Sequence, residues 1–303
     1  MPNRLRCVAP LLCLHLAVPS RGGEASVAGG KMEGGGLRAL LASQKVVISD
    51  GGLATELENR GANLADHLWS ARLLRDDPQL IYETHLGYYL AGADLGTSAS
   101  YQATIGGFEK AGIEAAEGER LIRSSVSLVR AARDAAWEKI QADAAESEGG
   151  ERERSARARP LVAASVGAYG ASLADGSEYR GDYKISLEEL KDFHRNRMML
   201  LAQEHPDVFA CETVPCLLEV EALLQLMEEA EFVAAGIPAW IVVTCKDAGH
   251  LCSGEPLSKF ADLVNSYLVK GDAMLSAIGI NCSPPQVCSI YTHTHTHTHT
   301  QVV

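Results

Sequence analysis

Two side chains that could do chemistry stand where apolar, strand-like runs end. Glu212 follows the run from Val208 to Cys211, and Cys282 follows the run from Ala277 to Ile280 with only Asn281 between. A carboxylate in such a place must be hydrated, paired with a cation or bound to substrate, and a ligand ammonium group is a natural partner. A cysteine there can be a metal ligand or a nucleophile, with a buried structural thiol as the alternative.

Two further strand ends carry polar groups. Asp50, Gly51 and Gly52 could place a carboxylate and bare backbone amides against a small polar ligand, or simply form a turn that opens a helix. Thr97 and Tyr101 belong to a cluster of hydroxyl groups and an aromatic ring that could line a pocket. Taken together, these patterns predict a polar site where several strands end.

Six strand-like runs alternate with helical patterns from Lys45 onward, which predicts βα units around a parallel sheet. The predicted strands are Val46 to Ser49, Ala93 to Thr97, Leu161 to Val166, Val208 to Cys211, Trp240 to Thr244 and Ala277 to Ile280. Polar residues at strand ends favour an α/β fold of the (β/α)8 TIM-barrel type. Nothing after Cys288 has the length or pattern of a further unit, so the predicted barrel is incomplete, with about six of its eight βα units.

Helix signals separate these runs. Asp77 and Pro78 are typical of a helix start, and Ser186 with Glu189 forms a capping-box pattern. Two apolar stripes, from Leu217 to Gly236 and from Leu257 to Gly271, predict packing helices. An open doubly wound sheet would also accept six strands, but the Gly-rich phosphate fingerprint expected after its first strand is missing from the sequence.

Composition limits the partners of the chain. The 303 residues have 47% hydrophobic content and a formal net charge of −12, which allows a large core and disfavours nucleic acid and anionic lipid. No apolar run reaches the roughly 18 residues needed to span a bilayer, so no membrane association is expected. The eight cysteines are scattered, which indicates reduced thiols and a cytoplasmic location. A short apolar run from Cys7 to Val18 keeps secretory or organelle targeting as alternatives.

The two ends of the chain differ in pattern from the middle. Residues 1–31 are predicted to be a disordered or non-native extension before a barrel domain at 32–286, and residues 287–303 a tail outside that domain. Thr292 to Thr300 alternates threonine and histidine strictly, as a translated adenine-cytosine repeat would. The hypothesis is that the native coding sequence ends near Gln286 and that the residues after it are translated from intron-like sequence. A His-rich metal-binding tail is the competing interpretation.

The chain resembles the homocysteine S-methyltransferase family in five segments that occur in the family's order: DGGLATELENRGANLADHLWSARLL, HLGYYLAGADLGTSASYQAT, SVGAYGASLADGSEYRGDY, ACETVPC and IGINCSPP. The resemblance covers most of Met32 to Gln286 and implies a zinc-dependent barrel enzyme that methylates homocysteine to methionine. The stretch from Ser172 to Tyr183 looks most like the branch that takes its methyl group from S-methylmethionine. S-adenosylmethionine offers the same sulfonium chemistry.

The resemblance also implies roles for individual residues. Cys282 would be one zinc thiolate, with Asn281 supporting the turn, and Glu212 would bind the homocysteine amino group. Homocysteine and S-methylmethionine are the implied small-molecule partners, and the oligomeric state is left open. The residues implied to line the homocysteine pocket are Asp50, Gly51, Gly52, Thr97 and Tyr101.

One family feature is missing from the sequence. Family members carry two adjacent zinc cysteines in a Gly-Gly-Cys-Cys segment at the eighth strand, and no such segment occurs here. A single thiolate makes a poor zinc site, for which three protein ligands are the usual minimum. With its Zn²⁺ site incomplete, the chain is expected to bind zinc weakly and to turn over little. The alternative is a non-catalytic truncated isoform that acts, if at all, through association with other chains.

Overall fold

The computed structural model describes residues 17–19, 36–37, 39–40, 46–64, 68–146, 157–269, 274–284 and 300–302. Within them the strands are β1 (Ala17–Pro19), β2 (Leu95–Thr97), β3 (Leu161–Gly167), β4 (Val208–Val214), β5 (Ala239–Val243), β6 (Cys245–Asp247), β7 (His250–Leu251), β8 (Leu275–Ile280) and β9 (Thr300–Val302). The α-helices are α1 (Leu53–Asn59), α2 (Leu73–Asp76), α3 (Pro78–Leu90), α4 (Ile105–Lys110), α5 (Ala115–Glu146), α6 (Tyr169–Leu173), α7 (Leu187–Ala202), α8 (Leu217–Met227), α9 (Ala230–Ala235) and α10 (Leu257–Leu268). Short 3-10 helices occupy Trp69–Arg72 and Ser177–Tyr179.

Five strands form a parallel sheet in the order β2-β3-β4-β5-β8. Helices connect successive strands of this sheet, as in β/α barrels, so the predicted parallel α/β architecture is confirmed. Antiparallel β1 and β9 continue the sheet beyond β8. Most of the predicted extension at 1–31 and of the predicted tail at 287–303 lies outside the described residues, as does Cys288.

The predicted first strand is much shorter than expected. Ser49 makes a single parallel bridge to Leu95, and the Asp50 amide donates to the Leu95 carbonyl at 2.9 Å. The Ile48 amide donates instead to the Asp94 carboxylate at 2.9 Å, so a side chain takes the place of a strand partner. Even this short contact brings Asp50 to the carboxyl end of the sheet.

The parallel strands are buried on both faces. Every residue of β3, β5 and β8 is buried, which explains why these runs are continuously apolar. The main core packs one face of the sheet against the helices. A smaller core on the other face collects alternate strand residues together with two N-terminal leucines: Leu37, Leu40, Leu95, Leu161, Ala163, Val208, Ala210, Trp240, Val242 and Ala277.

Local capping chemistry sets the helix starts as predicted. The Asp77 side chain accepts the Leu80 amide at 3.1 Å ahead of Pro78, and Ser186 and Glu189 form a reciprocal capping box. These bonds satisfy amide groups that a helix start otherwise leaves without partners.

The apolar stripe from Leu217 to Gly236 is two helices, not one. Glu229 is extended, with ψ of 142°, and separates α8 from α9. Its carboxylate pairs with Arg195 of α7 at 2.7 Å, which holds the break in place. The predicted end of the next stripe, at Gly271, lies outside the described residues. In the described part of the chain, no helix combines the length and apolar character needed to cross a membrane.

Candidate functional site

The carboxyl ends of the parallel strands bring the predicted site residues together. Thr97 ends β2, Glu212 lies near the end of β4, and Asn281 and Cys282 follow β8. Asp50 joins this edge through its hydrogen bonds to Thr97. Residues from four separate segments therefore share one edge of the sheet, where barrel enzymes place their sites.

Asp50 is a buried carboxylate tied to the end of β2. Its Oδ2 accepts the Thr97 amide at 2.7 Å, and its Oδ1 accepts the hydroxyl groups of Thr97 at 3.0 Å and Ser49 at 3.1 Å. Burial raises the pKa of Asp50 to about 6, although these hydrogen bonds oppose the rise. Asp50 thus fixes the first turn against β2 and adds negative charge to the site.

The first glycine after Asp50 makes room for an aromatic ring. A Cβ atom on Gly51 would lie 2.8 Å from the hydroxyl oxygen of Tyr88, and the Tyr88 hydroxyl donates to the Gly52 carbonyl at 3.3 Å. The close approach of Tyr88 therefore requires glycine at position 51. Sequence reasoning singled out the glycines but not Tyr88.

Glu212 is a half-buried carboxylate in contact with β3. The Ser165 hydroxyl donates a short hydrogen bond to Glu212 Oε1. Burial raises the pKa of Glu212 to about 7; the Ser165 bond and Arg197 oppose this rise, and the Asp50 carboxylate adds to it. A cationic ligand beside Glu212 would favour the ionised form and restore the charge balance.

A β-bulge aims Glu212 into the site. The pairing of β4 with β5 shifts register between Cys211 and Val214, so Glu212 and Thr213 form the irregular part of the strand. Thr213 has φ of 62°, in the left-handed region that β-branched residues rarely adopt. Bulges of this kind redirect side chains next to functional sites.

Asn281 joins the ends of β8 and β4. Its Oδ1 accepts the Thr213 amide at 3.1 Å, and its Nδ2 donates to Thr213 Oγ1 at 3.0 Å. Since β5 lies between these two strands, the pair fixes the two strand ends relative to each other across a third. It also holds Thr213 in its unusual conformation.

Cys282 lies beside Thr213 and Tyr101. The Thr213 hydroxyl is 3.7 Å from Cys282 Sγ, and the Thr244 hydroxyl donates to the Cys282 carbonyl at 3.2 Å. Tyr101 shares a hydrogen bond with Thr213, and burial raises the pKa of Tyr101 well above its usual value, so the phenol is neutral. The structure thus brings Tyr101 and Cys282, which are far apart in sequence, to one hydroxyl group.

The described residues do not fit a zinc ion. Nowhere in the ranges that the structure covers do three histidine, cysteine, aspartate or glutamate side chains lie close enough together to hold a metal. One neighbour of Cys282 is the Thr213 hydroxyl, which is not a usual zinc ligand. Burial raises the pKa of both Cys211 and Cys216 to about 12, which opposes formation of their thiolates. Of the residues implied to bind zinc, the described part of the chain contains Cys282.

Besides Tyr88, two more site residues were not found from the sequence. Ser165 binds Glu212, and Thr213 binds both Asn281 and Cys282. The signal for Ser165 was present, because it is the one polar side chain in the otherwise apolar run Leu161–Gly167. Nothing in the sequence marked the backbone conformation of Thr213.

Replacing Thr213 with valine is expected to lower the free energy of unfolding by about 1–3 kcal/mol, because Asn281 Nδ2 would lose its buried acceptor while the shape is retained. Thr213→Ser keeps the hydroxyl and is expected to cost less. Urea denaturation of both variants checks this. Equal losses for valine and serine would show that the hydroxyl has no such role.

Comparison with known proteins gives consistent matches. The family model described as homocysteine S-methyltransferase matches residues 47–303. Homocysteine S-methyltransferase YbgG of Bacillus subtilis is 42% identical over 250 residues, which cover 82% of this chain and 73% of that protein. The homocysteine S-methyltransferase of Escherichia coli is 44% identical over 246 residues, covering 81% and 72%. The crystal structure of homocysteine methyltransferase MmuM from Escherichia coli, metallated form, matches with a TM-score of 0.73 at 42% identity, covering 86% of this chain and 83% of that one. This match confirms the predicted barrel-type fold class.

Proposed function

Because the chain belongs to the homocysteine S-methyltransferase family, we propose that it transfers a methyl group from S-methylmethionine or S-adenosylmethionine to homocysteine, giving methionine, at a rate that its incomplete zinc site keeps low. The observation that carries the proposal is Glu212, a half-buried carboxylate with its pKa raised to about 7 where the strand ends converge. Such a group suits an ammonium ligand, and amino-acid substrates carry one.

The proposed chemistry mainly requires the protein to align the two substrates. The homocysteine sulfur forms a bond to the methyl carbon while the carbon–sulfur bond of the donor breaks, and the electron pair stays with the donor sulfur. The donor leaves as a neutral thioether, and the homocysteine thiol proton goes to solvent. A cationic donor therefore needs no general acid, and holding the two sulfur atoms in line is the main requirement.

We assign the substrate amino group to Glu212, with Asp50 adding negative charge beside it. Thr97, Gly51 and Gly52 would line the same pocket. Tyr101 is neutral and close to Cys282, at the place where the reacting sulfur would lie in this proposal.

Cys282 is the one residue to which this proposal assigns a role in zinc binding. The sequence resemblance implies zinc, and MmuM has been crystallised in a metallated form. Within the described residues, however, no group of three histidine, cysteine, aspartate or glutamate side chains could hold a metal ion. That mismatch favours a second candidate function, a non-catalytic isoform that acts through association with other chains. A cytoplasmic location remains our proposal, based on the scattered cysteines of the sequence.

Homocysteine affinity is expected to rise between about pH 5 and pH 7, by up to about tenfold per unit, and then to level off. The sign follows from Glu212, whose carboxyl is neutral below its pKa of about 7 and attracts the ammonium group only once ionised. Isothermal titration calorimetry at constant ionic strength measures this. The control ligand is 4-mercaptobutyrate, which lacks the amino group and should show no such rise. A flat profile for homocysteine would remove the main support for the proposal.

Methyl transfer separates the two candidate functions. The chain is incubated with homocysteine and S-methylmethionine carrying deuterated methyl groups, and methionine is analysed by mass spectrometry. Labelled methionine supports the enzyme. Homocysteine binding without labelled methionine supports the non-catalytic isoform.

A further inference from the structure

A buried charged cluster lies behind the ends of β3 and β4, outside the substrate site proposed above. It consists of Glu219 on α8 and of His194 and Arg197 on α7, all of them buried. Burying such groups is unfavourable unless they are paired and hydrogen-bonded. Their contacts therefore indicate what the cluster holds in place.

Glu219 anchors the backbone where β3 ends. Its Oε1 accepts the Tyr169 amide at 2.5 Å and contacts Nε2 of His194 at 2.8 Å. Burial lowers the pKa of His194, so its ring is neutral, and the Nε2 hydrogen can point at the carboxylate. Tyr169 is the first residue of α6 and begins the segment 169–183.

Arg197 binds the backbone of Gly167, which precedes Ala168 as Tyr169 follows it. Its guanidinium donates to the Gly167 carbonyl. Burial lowers the pKa of Arg197 to about 10, with Glu219 the largest opposing influence, so the guanidinium remains charged at neutral pH. Gly167 in turn packs against Tyr101, because a Cβ there would lie 2.4 Å from the Tyr101 carbonyl oxygen.

The far end of the segment returns to the same cluster. The Tyr183 ring meets the Tyr169 ring edge-on, with 5.2 Å between centroids, and burial and Glu219 both raise the pKa of Tyr183. Gly181 fits against Pro215 and Cys216, where a Cβ would lie 3.1 Å from the Pro215 carbonyl oxygen. Both ends of 169–183 therefore converge on Glu219.

The segment between these ends carries groups suited to a cation. One carboxylate oxygen of Glu178 is buried and has no hydrogen-bond partner within the described part of the chain. Tyr179 lies near enough to Tyr101 to influence it electrostatically. The segment thus contains an acidic side chain and tyrosine rings, and these two kinds of group can stabilise a sulfonium ion by charge and by cation–π contact.

We propose that Glu219 is a positioning residue that holds segment 169–183 closed over the carboxyl end of the sheet for binding of the sulfonium donor. The donor part rests on the function proposed above. The anchoring part rests on the contacts of Glu219 and Tyr169 alone.

Amide hydrogen exchange tests the proposal on the full chain with three variants. Glu219→Leu removes both acceptor bonds at similar volume, Glu219→Gln keeps an oxygen that can accept both, and Glu221→Leu is the matched control on the same helix. In Glu219→Leu, segment 169–183 is expected to exchange at least about tenfold faster, while β4 is unchanged. S-methylmethionine affinity should fall at least about tenfold more than homocysteine affinity. Glu219→Gln should restore both, and Glu221→Leu should resemble the wild type.

Several results would overturn the proposal: unchanged exchange in 169–183, equal acceleration throughout the chain, or undiminished donor affinity with the segment opened. If Glu219→Leu does not fold, hydrogen exchange in the wild type tests the anchor instead. The Tyr169 amide, which donates to Glu219, is expected to exchange more slowly than the exposed amides of segment 169–183. Equal exchange rates would overturn the proposal. A wild type that binds neither homocysteine nor S-methylmethionine would refute the proposed function, and the exchange data would then judge the anchor separately.

Discussion

Glu212→Gln is expected to weaken homocysteine binding by about 100-fold to 1,000-fold, because a neutral amide cannot pair with the substrate ammonium group in a half-buried site. The amide can still accept the Ser165 hydroxyl, so the pocket should keep its shape. Calorimetry near pH 8, where the wild-type carboxylate is ionised, gives the largest contrast. Glu221→Gln, on α8 and away from the strand ends, should bind homocysteine as the wild type does.

The same substitution is expected to raise the free energy of unfolding near pH 8 by about 1–3 kcal/mol. Glu212 has a folded-state pKa of about 7, above its usual 4.5, so the folded state holds the proton more tightly than the unfolded state. Its contribution to stability is therefore full below the unfolded pKa and is lost as pH rises through the folded pKa. Glutamine removes this loss. Urea denaturation at several pH values checks it, and a variant that lost both affinity and stability would indicate a folding defect instead.

These opposite effects follow from how the site is built. Burial raises the pKa of both Asp50 and Glu212, and the Asp50 carboxylate makes ionisation of Glu212 harder. Ionisation of both groups therefore concentrates negative charge unfavourably in the site, and an ammonium ligand would relieve this. Function-related destabilisation of this kind is common where binding needs charge in a desolvated place.

The strands could be read from the sequence because each is an apolar run of limited length between turns. The predicted starts and ends of β3, β5 and β8 lie within two residues of the observed ones. The first predicted strand failed because the Asp94 side chain captures the Ile48 amide, and a pattern of apolar residues cannot show this. The break between α8 and α9 could not be predicted from the apolar pattern either, because it depends on the pairing of Glu229 with Arg195, which is distant in sequence.

The site was predictable only in its outline. Position at a strand end identified Glu212 and Cys282, since any barrel-type sheet gathers such residues at one edge. The link between them was not predictable, because it runs through Thr213, whose left-handed backbone is held by Asn281. The hydroxyl groups of Ser98 and Ser100, which lie between Thr97 and Tyr101 in the sequence, bind the backbone of Ser165.

The unaltered 303-residue chain is expected to bind well under one equivalent of zinc and to form methionine at least about 1,000-fold more slowly than a chimera that supplies the missing cysteines. In the chimera, the residues after Pro284 are replaced by the corresponding part of a family member that carries the Gly-Gly-Cys-Cys segment. Cys282 already stands at the end of β8, so two added thiolates would complete a three-ligand set. Mass spectrometry of bound metal and labelled methionine measures both quantities.

The controls for this prediction separate the possible sources of bound zinc. A chimera with serine at the two added cysteines should lose zinc and activity together, because its fold is otherwise the same. In the unaltered chain, zinc that disappears on deletion of residues 292–300 belongs to the Thr-His repeat, whereas zinc that disappears in Cys282→Ser belongs to the strand-end site. One equivalent of zinc held through Cys282, with steady methionine formation by the unaltered chain, would mean that residues outside the described ranges complete the site.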